Sequence, residues 1–331
     1  MYNNMNHVDL LNRKILYQLS INSRQPLAQI GRNIGVPKSV VDYRLHRLIE
    51  KGIIKNFNIY IDHNKLGYRQ IKLLYKYQYI NPQKQKEIID YFVGKEYCNL
   101  VASTEGQFDL LVGLLVNDIN DICNFWHKTQ EKFGHFFRNK ELTFYVNDFR
   151  FTPSYILEDK NEYRNHLGGD IFPRKTSIAI DQLDINLLRT LMKDARIPLN
   201  KLTKLYSSST PTISKRLKKL TDNGLIRAFT TNYSVNKLGY QIFKSYIILK
   251  DVKKRKEIIE YVKLNPHLIS IEIYVGKSDI DLEFHCKSSS DFHKMMQDIT
   301  RQFPDSIRSY AQILIIEDHK ANYLPLSNAF S

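Results

Sequence analysis

Apolar residues recur at helical spacing three times near the start of the chain, and then the period changes. Leu11, Ile15, Leu16 and Leu19 line one face of a helix predicted over about 9–20. Pro26, suited to a first turn, opens a second helix with Leu27, Ile30 and Ile34 inward, and Gly35 follows as a turn residue. Val41, Leu45 and Leu48, at i, i+4 and i+7, give a third helix over 37–50 a single buried stripe. Gly52 is placed to end it in the left-handed conformation. From Ile53 to Ile61 the period becomes two, with Phe57, Ile59 and Ile61 on one side of a strand.

Beyond this the pattern predicts strands near 70–80, 97–104, 107–116 and 139–150, with helices near 83–93 and 118–133. Strand, helix, strand, strand, helix, strand is the ferredoxin-like order, a four-stranded antiparallel sheet with two helices on one face. The segment LLVGLLV at 110–116 is apolar on both sides, so the open face of that sheet needs a partner.

The whole pattern then repeats. Positions 8–68 align with 180–240 without a gap, and eighteen of the sixty-one pairs are identical, too many for coincidence. They include Asp9/Asp181, Arg24/Arg196, Pro26/Pro198, Arg44/Arg216, Gly52/Gly224 and the run NKLGY at 64–68 and 236–240. At an offset of 170 the likeness continues through KEIIDY (86–91) and KEIIEY (256–261), Gly106/Gly276, Asp109/Asp279, Phe133/Phe303 and Arg138/Arg308. The second copy is predicted to place strands near 242–250, 267–275, 278–286 and 307–316, with helices near 253–263 and 289–302. The expected fold class is α+β: two winged helix-turn-helix domains (1–62, 179–234) and two ferredoxin-like βαββαβ domains (63–151, 235–331) in tandem. A linker is expected over 152–178, with a short helix near 156–166.

Charge adds a partner to this picture. The net charge is +15, and residues 7–56 and 175–227 carry +6 and +7 of it, leaving the remaining two-thirds near neutral. A basic surface confined to the two three-helix segments points to a polyanion. Cys98, Cys123 and Cys286 are far apart and form no CxxC pair, which suggests neither a disulfide framework nor a zinc site and fits a reducing cytoplasm. No apolar run reaches membrane-spanning length, and MYNNMNHVD lacks the core of a signal peptide.

The candidate chemistry lies on the third helix of each copy. With the apolar stripe inward, Lys38, Ser39, Asp42, Tyr43 and Arg47 face outward; in the second copy the set is Thr210, Pro211, Ser214, Lys215, Lys218 and Lys219, behind Ser209 as N-cap. The first residues of such a helix reach base edges while flanking cations hold phosphates. A second candidate is GQFD at 106–109, repeated as GKSD at 276–279, between two predicted strands. Here Gly106 and Gly276 permit an unusual backbone angle or close approach of a ligand, and Asp109 and Asp279 can accept from a ligand ammonium or from turn amides. A plain hairpin turn explains the same residues. Ten histidines show no metal spacing, Trp126 reads as a packing residue, and there is neither a Gly-rich phosphate loop nor a nucleophile motif. No catalytic residue, metal or cofactor is expected.

NSRQPL at 22–27, the helix ending RLHRLIEKGII at 44–54, and NKLGY together resemble the Lrp/AsnC family of transcription regulators, over nearly the whole chain and better in the first copy. The resemblance implies a winged helix-turn-helix followed by a ferredoxin-like effector (RAM) domain, two such domains packing sheet to sheet. It implies double-stranded DNA as partner and an amino acid or other small effector at the Gly106/Asp109 and Gly276/Asp279 loops; Ser278, in place of an aromatic or apolar third residue, departs from the family pattern and makes the two loops unequal. Tandem fusion makes the two RAM-like domains an intramolecular pseudo-dimer, open to further homo-oligomerisation, and two different heads favour an asymmetric site. Siroheme decarboxylases are similar to this family and offer an enzymatic alternative. Where their His-Asn-Tyr type motif would fall, this chain has Cys98, Asn99 and Leu100. A low-specificity architectural DNA-binding protein is the third reading.

Overall fold

The computed structural model describes residues 8–157 and 178–321. The first copy runs α1 (Leu10–Ile21), α2 (Leu27–Ile34), α3 (Lys38–Glu50), β1 (Ile54–Ile61), β2 (Arg69–Tyr77), α4 (Pro82–Val93), β3 (Cys98–Gly106), β4 (Leu110–Val116), α5 (Ile119–Phe133) and β5 (Phe137–Arg150). The second runs α6 (Gln182–Lys193), α7 (Leu199–Leu205), α8 (Thr210–Asp222), β6 (Ile226–Tyr233), β7 (Gln241–Leu249), α9 (Arg255–Val262), β8 (Leu268–Val275), β9 (Ile280–Cys286), α10 (Ser289–Gln302) and β10 (Ile307–Ala321). The chain divides into two compact units that cut across the repeat: one gathers both three-helix heads, the other both ferredoxin-like modules.

In the head unit, each helical trio closes on its apolar stripe. Val41, Leu45 and Leu48 are buried with Ile15, Leu16, Leu19 and Ile30, and Ile213, Leu217 and Leu220 with Leu187, Leu188, Leu191 and Leu202. Asp9 caps α1 by accepting from the Asn12 N–H at 2.8 Å, and Asp181 closes a reciprocal capping box with Asp184 on α6. The strand that follows each trio pairs with its counterpart in the other head, so β1 and β6 form one shared antiparallel ribbon. Asn58 lies opposite Thr230, its own repeat equivalent, which puts a local twofold axis through that pair. Contacts on either side are reciprocal: Ser23 N–H donates to the Phe229 carbonyl (2.9 Å) and Ala195 N–H to the Phe57 carbonyl (2.8 Å). Arg24 Nη1 donates to the carbonyls of Ala195 and Ile197, and Arg196 Nη1 to those of Ser23 and Gln25. Each guanidinium also lies 5.5 Å from the ring centre of the other head's phenylalanine, Phe229 or Phe57.

Residues 154–157, expected to begin the linker, form a 3-10 turn in this unit. Tyr155 and Ile156 are buried, Tyr155 against the Tyr240 ring at 4.6 Å, and Arg13 of α1 donates to the Ile156 carbonyl. Residues 158–177 of the expected linker, and with them all but the first two residues of its expected short helix, lie outside the described residues.

In the second unit each module has the ferredoxin-like strand order, β5-β2-β4-β3 and β10-β7-β9-β8. Their edges join at two seams, β10 to β3 and β5 to β8, closing one eight-stranded barrel. Closure removes the open edges that a lone module would carry. It also accounts for the doubly apolar β4, which is buried along its whole length. Ile71, Leu73 and Tyr75 of β2, with Leu110, Val112 and Leu114, pack against Ile88 and Phe92 of α4 and Phe125 and Phe133 of α5. The alternate residues Leu74 and Leu111 instead form an inner cluster with Phe108, Tyr246 and Ile313, members of both modules.

Candidate nucleic-acid interface

α3 and α8 share a frame and differ in what they present. Each begins at a residue in the extended region, Pro37 or Ser209, and ends at a left-handed glycine, Gly52 (φ +61°) or Gly224 (φ +65°). The turn before the helix differs between copies. In the first, Gly35 takes the left-handed angle (φ +74°), and Gly31 is needed because a Cβ there would stand 2.5 Å from the Val36 carbonyl oxygen. In the second, Thr203 and Ser207 replace these glycines, and Ser207 is held at φ +45°. Only α8 has a side-chain cap, with Ser209 Oγ accepting from the Thr212 N–H at 3.3 Å.

On α3, Lys38, Ser39, Tyr43 and Arg47 are exposed and Asp42 is half-buried. Tyr43 is 63 % exposed, unusual for an aromatic with no apolar cover. Arg47 lies along it, its guanidinium carbon 6.0 Å from the ring centre and Nη1 3.4 Å from the hydroxyl. Asp42 faces His46 at 3.5 Å. On α8, Thr210, Pro211, Lys215, Lys218 and Lys219 are exposed and Ser214 is half-buried. Lys218 pairs with Asp222 at 2.7 Å, and Lys219 donates to the Ala179 carbonyl at 3.3 Å. Lys38 and Lys215 meet no carboxylate among the described residues. The structure therefore brings each predicted outward set together on one helix face.

The arginine common to both helices works inward instead. Arg44 pairs with Asp9 and Arg216 with Asp181, tying α3 to the start of α1 and α8 to the start of α6. The Asp181 carboxyl is held below its ordinary value by the Asp184 N–H and then by Arg216. Arg44/Arg216 and Arg24/Arg196 were visible in the sequence as identities, but the outward reading gave them no role. Their signal was the identity itself, which for Arg44/Arg216 stands among reading residues that have all changed.

The two loop glycines lie at the barrel seams. Gly106 (φ +130°) pairs with Ile313 of β10, and a Cβ on it would stand 2.4 Å from the Gln312 carbonyl oxygen. Gly276 (φ +133°) sits against β5, 3.0 Å from the Leu142 carbonyl oxygen by the same measure. The close approach that glycine allows here is made by the other module's backbone. Asp109 accepts from the Tyr77 N–H (2.8 Å) and Lys76 Nζ (2.7 Å); Asp279 accepts from the Leu249 N–H (2.8 Å) and Arg255 (3.2 Å). Both carboxylates thus secure the end of a neighbouring strand. At the start of β3, Cys98 is buried and its thiol is pushed up to about 12 by that burial, and the buried Asn99 amide makes no hydrogen bond. Among the described residues no group of three or more His, Cys, Asp or Glu is placed to hold a metal ion, and no helix is long and apolar enough to cross a membrane.

Comparison with known proteins agrees with the repeat. A winged helix-turn-helix DNA-binding model matches residues 8–55 and again 180–227. The HTH-type transcriptional regulator Ptr1 of Methanocaldococcus jannaschii is 30 % identical over 118 residues, 36 % of this chain and 78 % of that protein. The HTH-type transcriptional regulator FL11 of Pyrococcus abyssi is 23 % identical over 149 residues, 45 % of this chain and 98 % of that protein, so a full-length relative corresponds to about one repeat. Among solved structures, the siroheme decarboxylase NirDL superposes over 97 % of this chain and 96 % of its own, with a TM-score of 0.63 and 14 % identity, a likeness of fold. With its motif doubled, its heads joined and its ferredoxin-like modules closed on each other, the chain belongs to the Lrp/AsnC family of helix-turn-helix transcriptional regulators.

Proposed function

We propose that this protein is a transcription regulator that binds duplex DNA with two non-identical heads, reading the two halves of one asymmetric site. The observation that carries this is the local twofold through Asn58 and Thr230. It relates two helices with the same buried frame and different outward residues. A symmetric dimer presents the same residues to both half-sites and suits a palindrome. Here Lys38, Ser39, Asp42, Tyr43 and Arg47 stand where the second head has Thr210, Pro211, Ser214, Lys215 and Lys219. Lys218 adds a further cation where the first head has His46. The first head offers a cation and an exposed aromatic to base edges; the second offers hydroxyls and a lysine-rich flank suited to phosphate.

An effector at the Gly106/Asp109 and Gly276/Asp279 loops would act on the barrel seams, since each glycine lies against the opposite module. The two sites would differ, because Phe108 in the first is replaced by Ser278. The reading is non-enzymatic. A buried thiol held protonated, an unpartnered amide and Leu100 stand where the decarboxylase-type motif would fall, and none of them supplies a proton-transfer group near neutral pH. Binding-site selection on random duplex DNA tests the proposal. The expected optimum has two dissimilar half-sites, and affinity for it exceeds that for random duplex by roughly 10³-fold or more at one salt concentration. A palindromic optimum would overturn the two-reader account, and equal affinity for selected and random DNA would establish the architectural one.

A further inference from the structure

The carboxylates around the two buried lysines of the barrel's inner face all come from the second module. Lys72 of β2 and Lys244 of β7 are repeat equivalents, and both ammonium groups are buried. Lys244 is served within its own module: Glu283 lies directly opposite it on β9, with Glu272 on β8 close by, at 3.1 and 3.0 Å. Lys72 has no such partner at home. The residue opposite it on β4 is Gly113, the equivalent of Glu283, and the counterparts of Glu272 and Asp281 are Ala102 and Leu111. Its carboxylate comes from the other module. Asp281 of β9 pairs with Lys72, both side chains nearly solvent-free, and Ser278 Oγ donates to the same carboxylate. The Lys72 ammonium also sits 3.6 Å from the ring centre of Tyr274 and 4.3 Å from that of Tyr246, both of the second module.

We propose that this one-sided supply of carboxylates is a pairing code that makes the two modules each other's partner and excludes like-with-like pairing between chains. Two first modules would enclose two lysines with no buried carboxylate beside them, since Ala102, Leu111 and Gly113 stand where the second module has Glu272, Asp281 and Glu283. Two second modules would enclose six carboxylates around two lysines. The mixed pair encloses two lysines and three carboxylates, each held by a cation or a hydroxyl. Removing the partner of a buried charge costs far more than the pair itself contributes, so the code works chiefly by penalising the wrong pairings. It does not distinguish a chain's own second module from another chain's, and covalent linkage supplies that preference through effective concentration.

Full-length chains carrying Lys72→Glu or Asp281→Lys test this, each with its own affinity tag. Either substitution alone sets like charges together inside the barrel and should lower the yield of folded chain and its melting temperature. Across two chains they are complementary: the new carboxylate at position 72 of one chain faces the new ammonium at position 281 of the other, and the unaltered Asp281 and Lys72 face each other. Co-expressed, the two variants are expected to recover folded yield and to co-purify at least tenfold more than two differently tagged Lys72→Glu chains, two Asp281→Lys chains or two wild-type chains. The double variant K72E/D281K in a single chain should return to wild-type behaviour. Variants that fold poorly alone leave the test intact, because recovery on co-expression is the readout. The proposal is overturned if the complementary pair co-purifies no better than either variant with itself, or if K72E/D281K is no better than the single variants.

Discussion

Arg24→Ala cuts one half of the reciprocal clasp between the heads. Arg24 is half-buried, and its Nη1 donates to two carbonyls of the other head, Ala195 at 2.5 Å and Ile197 at 3.1 Å. A hydrogen bond from a charged donor contributes about 1.5–3 kcal/mol. Two opposing effects reduce that sum. Burial disfavours the Arg24 cation, which Asp194 only partly offsets, and the like charge of Arg196 lies close by. The expected cost is therefore about 2 kcal/mol rather than the sum of two full bonds, which for a unit of this size lowers the melting temperature by on the order of 5–10 °C. Arg196→Ala should cost about the same, and the double variant less than the sum, since both guanidinium groups hold one contact. Arg24→Lys should recover less than half, because a compact, strongly hydrated ammonium loses the planar guanidinium contact with the Phe229 ring and costs more to bury. The chain's single tryptophan, Trp126, lies on α5 in the barrel unit, so its fluorescence follows the barrel while far-UV circular dichroism follows both units. The loss should appear first in the dichroism and be smaller in the Trp126 signal. An Arg24→Ala chain whose dichroism melt matches wild type within ~0.5 kcal/mol would refute the clasp.

Further outcomes follow from other contacts. Gly106→Ala should destabilise the barrel by about 2–4 kcal/mol, and by more than Gly276→Ala, because its new Cβ meets a backbone oxygen at 2.4 Å rather than 3.0 Å; Trp126 fluorescence melts rank the two. Ser207→Gly should stabilise the second head by about 1 kcal/mol, since it removes a side chain held at φ +45°, and a melt no higher than wild type would contradict that strain. Asp181 titrates below its ordinary 3.8 in the folded head, so its contribution is present above that pH and is lost as the pH falls through the lowered value. Arg216→Ala removes part of the depression and should flatten the acid-side fall in melting temperature below about pH 4, relative to wild type. Lys215→Ala and Lys219→Ala should each reduce the salt slope of DNA affinity by about 0.9 if they hold phosphate. Tyr43→Ala should leave that slope unchanged while altering which bases are preferred beneath the first head. Affinity measured at several salt concentrations on selected and scrambled duplexes separates the two.

Much of this was legible in the chain because its two periodicities report burial directly. The stripe Val41, Leu45 and Leu48 is buried, and the switch to period two at Ile53 coincides with β1. The LLVGLLV segment correctly signalled a covered sheet, but the cover is an edge-to-edge closure with an inner and an outer layer. The ribbon between β1 and β6 could not be read, since a strand's alternation says which face is buried and nothing of which strand pairs with it. The arginines at 24, 44, 196 and 216 show a related limit. A charged residue on a helix or in the loop beside one reads as surface, whereas these guanidinium groups reach carbonyls and capping carboxylates far away in sequence. The role of Gly106 was half visible: glycine signalled close approach, but only the seam identifies the approaching backbone as β10.

The axis through Asn58 and Thr230 also bears on dosage. In a homodimer, the residue on the twofold meets its own copy, and paired heads exist only as far as two molecules have found each other. Here the axis joins two different residues of one covalent chain, with Thr230 Oγ1 donating to Asn58 Oδ1. Every folded chain carries a complete pair of heads at any dilution. As a cell dilutes or degrades the protein, the number of paired readers falls in direct proportion to the number of chains, whereas a dissociating homodimer loses them faster than that. Fusion thus gives a linear response to protein level where assembly from separate subunits would give a steeper, thresholded one.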